Sequence, residues 1–348
     1  MANEHRAAAR AKSGALVAGV DIGGTQCSVN VGCLAEDSFE VLSRQQFATK
    51  ASRGAQGVLS EVTATLREVL VQHASEVPAA IGISCGGPLD RETGVVQSPP
   101  NLPGWDDVPI VQILSGSFGL PCFLENDANA GALAEWHFGA AKGYQHVVFM
   151  TFGTGLGAGL VLDGRLYRGR SGLAGEFGHW RVAERKGPVH YGKAGSLESF
   201  CSGSGIVGWY RYLGGTPDEH GGLSAASVAE RARLGEPLAS QVFDAAARHL
   251  GLAVAQLADL LAPDAVVIGG MYGYANDLLK EGVEAALKEE ALPAVVEHLQ
   301  VMPAGLGERL GSYASCCVAL EGLGLFRQRG QDGSPTGYAS LLAVEDVL

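Results

Sequence analysis

The sequence predicts an α/β protein of two domains. Its 348 residues exceed what one hydrophobic core usually organises. Strand-like and helix-like segments alternate along it, the pattern of layered α/β folds. One pattern also occurs twice. ALVAGVDIGGTQCSVNVG and HVVFMTFGTGLGAGLVLDG each read as strand, glycine turn, strand, and they lie about 130 residues apart.

Taken in order, the first 14 residues, MANEHRAAARAKSG, are a loose polar tail without the apolar centre of a signal peptide. Apolar, β-branched runs predict strands over Leu16–Val20, Ser28–Gly32, Val41–Gln46 and Ala80–Ser84. Val58, Val62, Leu66 and Leu70 recur at four-residue spacing and predict a helix over Gly57–His73. His146–Thr151 is a further strand. Gly159–Leu162 follows it, then Asp163–Gly164, the signature of a two-residue hairpin. A long helix is predicted over Leu238–Leu261, stopped by Pro263, and AVVIGG is a buried strand ending in two glycines. The last long helix is predicted over Gly311–Arg327, and GQDGSPTG beyond it is loop.

Composition excludes several partners. Net charge is −12, which disfavours nucleic acid and anionic membranes, since both require a basic surface. No run of 18 apolar residues exists to span a bilayer. The seven cysteines, Cys27, Cys33, Cys85, Cys122, Cys201, Cys316 and Cys317, are odd in number and form no C-x-x-C pair. They read as buried thiols of a reducing, cytoplasmic compartment.

The two glycine turns suggest chemistry. Backbone N–H groups in such turns cradle anions, and two cradles suit a polyphosphate. GTGLGA formally fits the dinucleotide fingerprint, but that motif must open a helix, and GLVLDGRLY after it alternates as a strand does. No G-x-x-x-x-G-K-[ST] loop occurs.

Six motifs then occur in order: DIGGT (21–25), NLPGW (101–105), LENDANA (124–130), GTGLGAG (153–159), GEFGH (175–179) and VIGG (267–270). Together they resemble the ROK family of sugar kinases, repressors and related open reading frames, over about Val17 to Leu325. The resemblance implies a two-domain actin-like ATPase (ribonuclease H-like) fold with a cleft between domains. One domain would be 15–125 with 311–327 and the other 126–310, with tails at 1–14 and 328–348. It implies transfer of the γ-phosphate of ATP to a hexose hydroxyl, most often the 6-OH of glucose. Kinases of N-acetylmannosamine, N-acetylglucosamine or fructose are alternatives, as is an inactive sugar-binding protein. A repressor would carry an N-terminal helix-turn-helix domain, for which the residues before the first strand leave no room. A homodimer is a further expectation.

The resemblance carries roles onto particular residues. Asp127 is the expected general base. Gly87, Asn101, Asn126, Glu176, His179 and Glu198 are expected sugar contacts, with Asp127 among them. Hexose hydroxyls both donate and accept, so amides, carboxylates and imidazole suit them. Gly23, Gly24, Thr25, Gly153, Thr154, Gly155, Gly157, Gly269 and Gly270 are expected to hold ATP. Asp21 joins them and is expected to hold Mg2+ through water. In one respect the chain departs from the family. The pattern C-x-C-G-x-x-G-C-x-E, which with the GH histidine binds structural zinc, is here VHYGKAGSLE (189–198). Val189, Tyr191 and Ser196 stand where the cysteines would. No thiolate remains, His190 cannot replace three ligands, and no zinc is expected. Packing around Tyr191 and Leu197 is then expected to hold Glu198.

Overall fold

The structure is a computed structural model that describes residues 14–326 apart from 37, 74–75, 186, 191 and 219–220. Apart from Gly14, the expected tails lie outside the described residues, as do the GQDGSPTG loop and Arg327. The chain divides into two compact units, Met1–Ala134 with Glu308–Leu348, and Glu135–Gly307.

The first unit is built on strands β1 (Ala15–Ile22), β2 (Gln26–Ala35), β3 (Ser38–Ala48), β4 (Ile81–Cys85) and β5 (Cys122–Asn126). They lie in the order β3-β2-β1-β4-β5. The first three form an antiparallel meander, and β4 and β5 run parallel to β1. Helices α1 (Gly54–Gln72), α2 (Ile110–Phe118) and α3 (Asp127–Phe138) follow in sequence, and the C-terminal helix Leu310–Gly322 returns to this unit.

Side chains alternate between the faces of a sheet, and here the two faces differ in kind. Ala18, Val20, Ile22, Val29, Val31, Ile81 and Ile83 share one core with Val58, Val62 and Leu66 of α1. The other face carries Gly19, Asp21, Ser28, Asn30, Gly82 and Ser84, all small or polar. It meets the C-terminal helix. A Cβ on Gly19 would lie 2.4 Å from Ser315 Oγ, and one on Gly82 2.0 Å from the Ser315 carbonyl oxygen. Asn30 donates from Nδ2 to Ser28 Oγ (3.1 Å) and Ser315 Oγ (3.3 Å). Helix backbone thus lies directly against strand backbone, an approach only glycine permits.

The second unit repeats the plan. Strands β6 (Val147–Phe152), β7 (Leu156–Leu162) and β8 (Arg165–Tyr167) form a meander. A separate hairpin pairs β9 (Val189–His190) with β10 (Lys193–Ala194). β11 (Ala265–Ile268) and β12 (Gln300–Pro303) complete the main sheet in the order β8-β7-β6-β11-β12. Helices α4 (Gly203–Tyr212), α5 (Ala225–Arg233), α6 (Pro237–Leu261) and α7 (Asn276–Glu290) belong to this unit. Strand order and sense match the first unit one for one, so the echo in the sequence is a repeat of topology.

Several boundaries differ from expectation. The strand expected at Gly159 begins at Leu156, straight after the turn, as a hairpin requires. α1 begins at Gly54 because a 3-10 turn, Ala51–Arg53, leads into it. The C-terminal helix stops at Gly322. Gly324, at φ +68°, donates to the Glu321 carbonyl, and Leu325 donates to that of Leu320, the two bonds of a Schellman stop. The division into two units falls between Ala134 and Glu135, within α3. Among the described residues no helix is long and apolar enough to cross a membrane.

The glycine contact can be tested. Gly82→Ala should cost at least about 3 kcal/mol, since the two atoms its methyl would meet first, the Ser315 carbonyl oxygen and the Ala319 nitrogen, are helix backbone, and overpacking alone costs about 1–3. Gly116→Ala lies in exposed α2 with nothing within 4 Å of the new methyl, and should gain about 0.5–1 kcal/mol. Urea unfolding midpoints of both variants measure this.

Candidate active site

In the first unit, strand register assembles the site. Asp21 pairs with Ser28 on one side and Ser84 on the other. The Ser84 hydroxyl hydrogen-bonds to its carboxylate. Gly311, at the start of the C-terminal helix, lies so near that a Cβ would sit 2.6 Å from Asp21 Oδ2. Next along the chain comes the turn of Gly23, Gly24 and Thr25. Thr49, fully buried at the end of β3, donates its hydroxyl to the Gly23 carbonyl (2.6 Å) and its N–H to that of Thr25 (2.9 Å). Gly24 rests on Asn101, where a Cβ would meet the Asn101 side chain and carbonyl at 2.8 Å each.

Two places across the sheet, β5 ends at Asn126 and α3 begins with Asp127. Asn126 Oδ1 and Asp127 Oδ1 both accept from the Ala128 N–H, at 2.9 and 2.8 Å. The Gly86–Gly87 turn lies alongside. A Cβ on Gly87 would be 3.3 Å from Asn126 Nδ2, and one on Gly86 3.9 Å from Asp127 Oδ2. Asp127 is solvent-accessible and Asp21 is half-buried. Desolvation by the surrounding protein pushes Asp21 up to about 6, with the Ser84 hydrogen bond opposing it and the charge of Asp127 adding to it. Asp127 is raised as well, again by desolvation first, with the Ala128 N–H opposing. The charge of Asp127 is thus felt at Asp21 within one unit.

In the second unit the turn Gly153–Gly155 occupies the equivalent place. Its carbonyls are held from α4: Gly203 N–H donates to Gly153 (2.7 Å) and Ser204 Oγ to Thr154 (2.6 Å). Thr151 stands where the first turn has Asp21, and its hydroxyl accepts from Gly157 N–H at 2.9 Å. Gly270, at φ +59°, lies against this turn, with a Cβ site 2.2 Å from the Phe152 carbonyl oxygen and 3.4 Å from Gly153 N. Gly269 donates to the Met150 carbonyl. The segment Gly175–His179 packs on β7: Ala158 N–H donates to Gly175, and Gly178 abuts the Leu156 carbonyl. Glu198 is buried, and its Oε2 accepts from Leu156 N–H at 2.9 Å, directly beneath Gly155. The second unit thus gathers the glycine turn, VIGG, Glu176, His179 and Glu198 around the start of β7.

Ser84, Thr49, Gly311 and Ser204 were not anticipated from sequence. Ser84 had a signal, a hydroxyl inside the apolar run IGISC; the others act on segments distant in sequence, which no local pattern announces.

The donor chemistry discriminates between metals. Asp21 with its neighbouring hydroxyls offers hard oxygen ligands, suited to a magnesium ion that keeps much of its water. At the family's zinc positions, Val189 and Ser196 offer no thiolate, and Tyr191 lies outside the described residues. These residues do not fit zinc.

Comparison with known proteins accords with this geometry. The ROK family model matches residues 17–319. The glucokinase of Thermotoga maritima is 34% identical over 319 residues, covering 88% of this chain and 98% of that protein. The N-acetylmannosamine kinase of Salmonella arizonae is 34% identical over 276 residues, covering 79% and 89% respectively. A ROK family glucokinase from Streptomyces griseus, solved in complex with glucose and AMPPNP, superposes with a TM-score of 0.72 at 31% identity, covering 86% and 98% of the two chains. The fold is the two-domain actin-like α/β architecture.

Asp21 should leave a thermodynamic signature. Unfolded, it ionises near 3.8; folded, it keeps its proton to about 6. The folded state holds the extra proton between these values, so stability falls as pH rises from 4 to 6. Asp21→Asn should therefore stabilise the nucleotide-free protein at pH 7 by about 1–2 kcal/mol, allowing for partial exposure, and by almost nothing at pH 3.8. Urea titrations at the two pH values measure the difference.

Proposed function

Because this chain belongs to the ROK family, we propose that it is an ATP-dependent hexose kinase with Asp127 as its general base. The observation that carries the reading is the company Asp127 keeps. It is an accessible carboxylate at a strand-to-helix junction, raised above the ordinary range, beside Asn126 and the Gly86–Gly87 turn, in the same unit as Asp21.

In this reading the carboxylate of Asp127 takes the proton of the sugar hydroxyl. The freed oxygen attacks the γ-phosphorus, the bond from that phosphorus to the β–γ bridging oxygen breaks, and ADP leaves. Gly87, Asn101, Asn126, Glu176, His179 and Glu198 contact the hexose. The turns at Gly23–Thr25 and Gly153–Gly157, with Gly269 and Gly270, hold the nucleotide through main-chain groups. Asp21 would hold hydrated magnesium, which supplies charge neutralisation at the phosphates. The 6-OH of glucose is the favoured acceptor, on the similarity to glucokinases. An N-acetylhexosamine acceptor is the second reading, favoured by the 34% identity to an N-acetylmannosamine kinase.

A coupled ADP-release assay over glucose, mannose, fructose, N-acetylglucosamine and N-acetylmannosamine tests both. Glucose should give the highest kcat/KM, and no sugar-dependent turnover would sink the kinase reading. Asp127→Asn should lower kcat at least about a hundredfold while the melting temperature holds. The acid limb of kcat/KM should fall above the ordinary carboxylate range, as the raised Asp127 becomes protonated.

A further inference from the structure

The stretch at the positions of the family's zinc pattern carries no thiolates here and includes a hairpin whose side chains reach the sugar-side residues. His190 and Lys193 face each other as the inner pair of β9 and β10. His190 Nδ1 lies 3.5 Å from Glu198 Oε1, with the two side chains only 18% and 10% exposed. Lys193 Nζ donates to the His179 carbonyl oxygen. The hairpin is itself anchored: Arg181 Nη1 donates to the Ala194 carbonyl (2.6 Å), and Val182 N–H to that of Gly195 (3.0 Å).

Glu198 consequently has a neighbour at each oxygen. Oε2 takes the Leu156 N–H and Oε1 faces the imidazole. Its main chain is fixed too, as Ser202 Oγ donates to the Glu198 carbonyl at 2.8 Å. A carboxylate has about four acceptor sites, so this leaves capacity for hydroxyls while settling its orientation. The pair is largely out of water, where a charge-assisted contact constrains more than a surface pair does. Leu197 is buried in the core of the second unit and its N–H donates to the Trp180 carbonyl, while Tyr191, the other residue expected to pack around Glu198, lies outside the described residues.

We propose that His190 is the positioning residue for Glu198, and that the His190 and Lys193 contacts together fix the sugar-side segment in place of a thiolate-bound zinc ion. The proposal rests on the reading of Glu198 as a hexose contact. A structural ion gives way here to two side chains of one short hairpin, each aimed at a different sugar-side residue.

Steady-state kinetics of the full chain, with the hexose turned over fastest in the panel, test it. His190→Ala should raise the KM for that hexose about tenfold, the scale of losing a hydrogen bond to a charged group, while the KM for ATP moves less than about twofold. His190→Gln, which retains an N–H donor, should recover most of the loss; it also carries the test should the alanine variant fail to fold. In a double-mutant cycle, His190→Ala should add nothing once Glu198→Ala is present. If Glu198→Ala leaves the hexose KM unchanged, Glu198 is no sugar contact and the reading beneath the proposal is overturned. If Glu198→Ala raises that KM but neither His190 variant does, the reading stands and the positioning role is overturned. Elemental analysis of the wild-type protein giving one zinc per chain would overturn the replacement.

Discussion

Glycine at the contact between the C-terminal helix and the first sheet is the constraint on which the rest of that unit depends. Gly19 and Gly82 let helix backbone reach strand backbone, and no larger residue could stand there without displacing one or the other. That approach brings Gly311 against the carboxylate of Asp21, and the helix takes part in walling off the strand end where Asp21 sits. A half-buried carboxylate in such a place resists ionisation. The same packing that makes the unit tight therefore sets the charge behaviour of its central acid. The sheet is two-faced for this reason, apolar toward α1, small and polar toward the C-terminal helix.

Much of the architecture was legible in the sequence because it rests on period-2 apolar runs and on turn residues. The paired motifs read as strand–turn–strand, and both are hairpins in sheets of matching order. Asp163–Gly164, with φ of 53° and 64°, is the tight turn its dipeptide announces. The strand after GTGLGA removes the dinucleotide reading by the same logic. What escaped sequence reading was non-local. Thr49 is one β-branched residue among many until its hydroxyl is found on the Gly23 carbonyl. Gly311 looks like a helix start until Asp21 is found beside it. His190 was weighed only as a metal ligand, since nothing in one dimension shows that it faces Glu198.

The two copies of the turn have also diverged in a way that topology alone does not explain. One carries Asp21 before its glycines, the other Thr151, whose hydroxyl is spent on the Gly157 N–H of its own hairpin. Only the first copy keeps a carboxylate at that point. The second has its acid elsewhere, as Glu198 fed in from a different segment and secured by Leu156 N–H. The two scaffolds share strand order and differ in electrostatics.

The C-terminal helix has a consequence for how the molecule is made. The five strands of the first sheet are complete once Asn126 has been synthesised, but the helix that covers their small, polar face begins only at Leu310. At about 5–20 residues per second, a ribosome needs roughly 10 seconds or more to travel between the two. During that interval Glu135–Gly307, a compact unit in its own right, emerges whole. The half of the protein begun first is thus finished last, with one face of its sheet open until the helix that begins at Leu310 has been made.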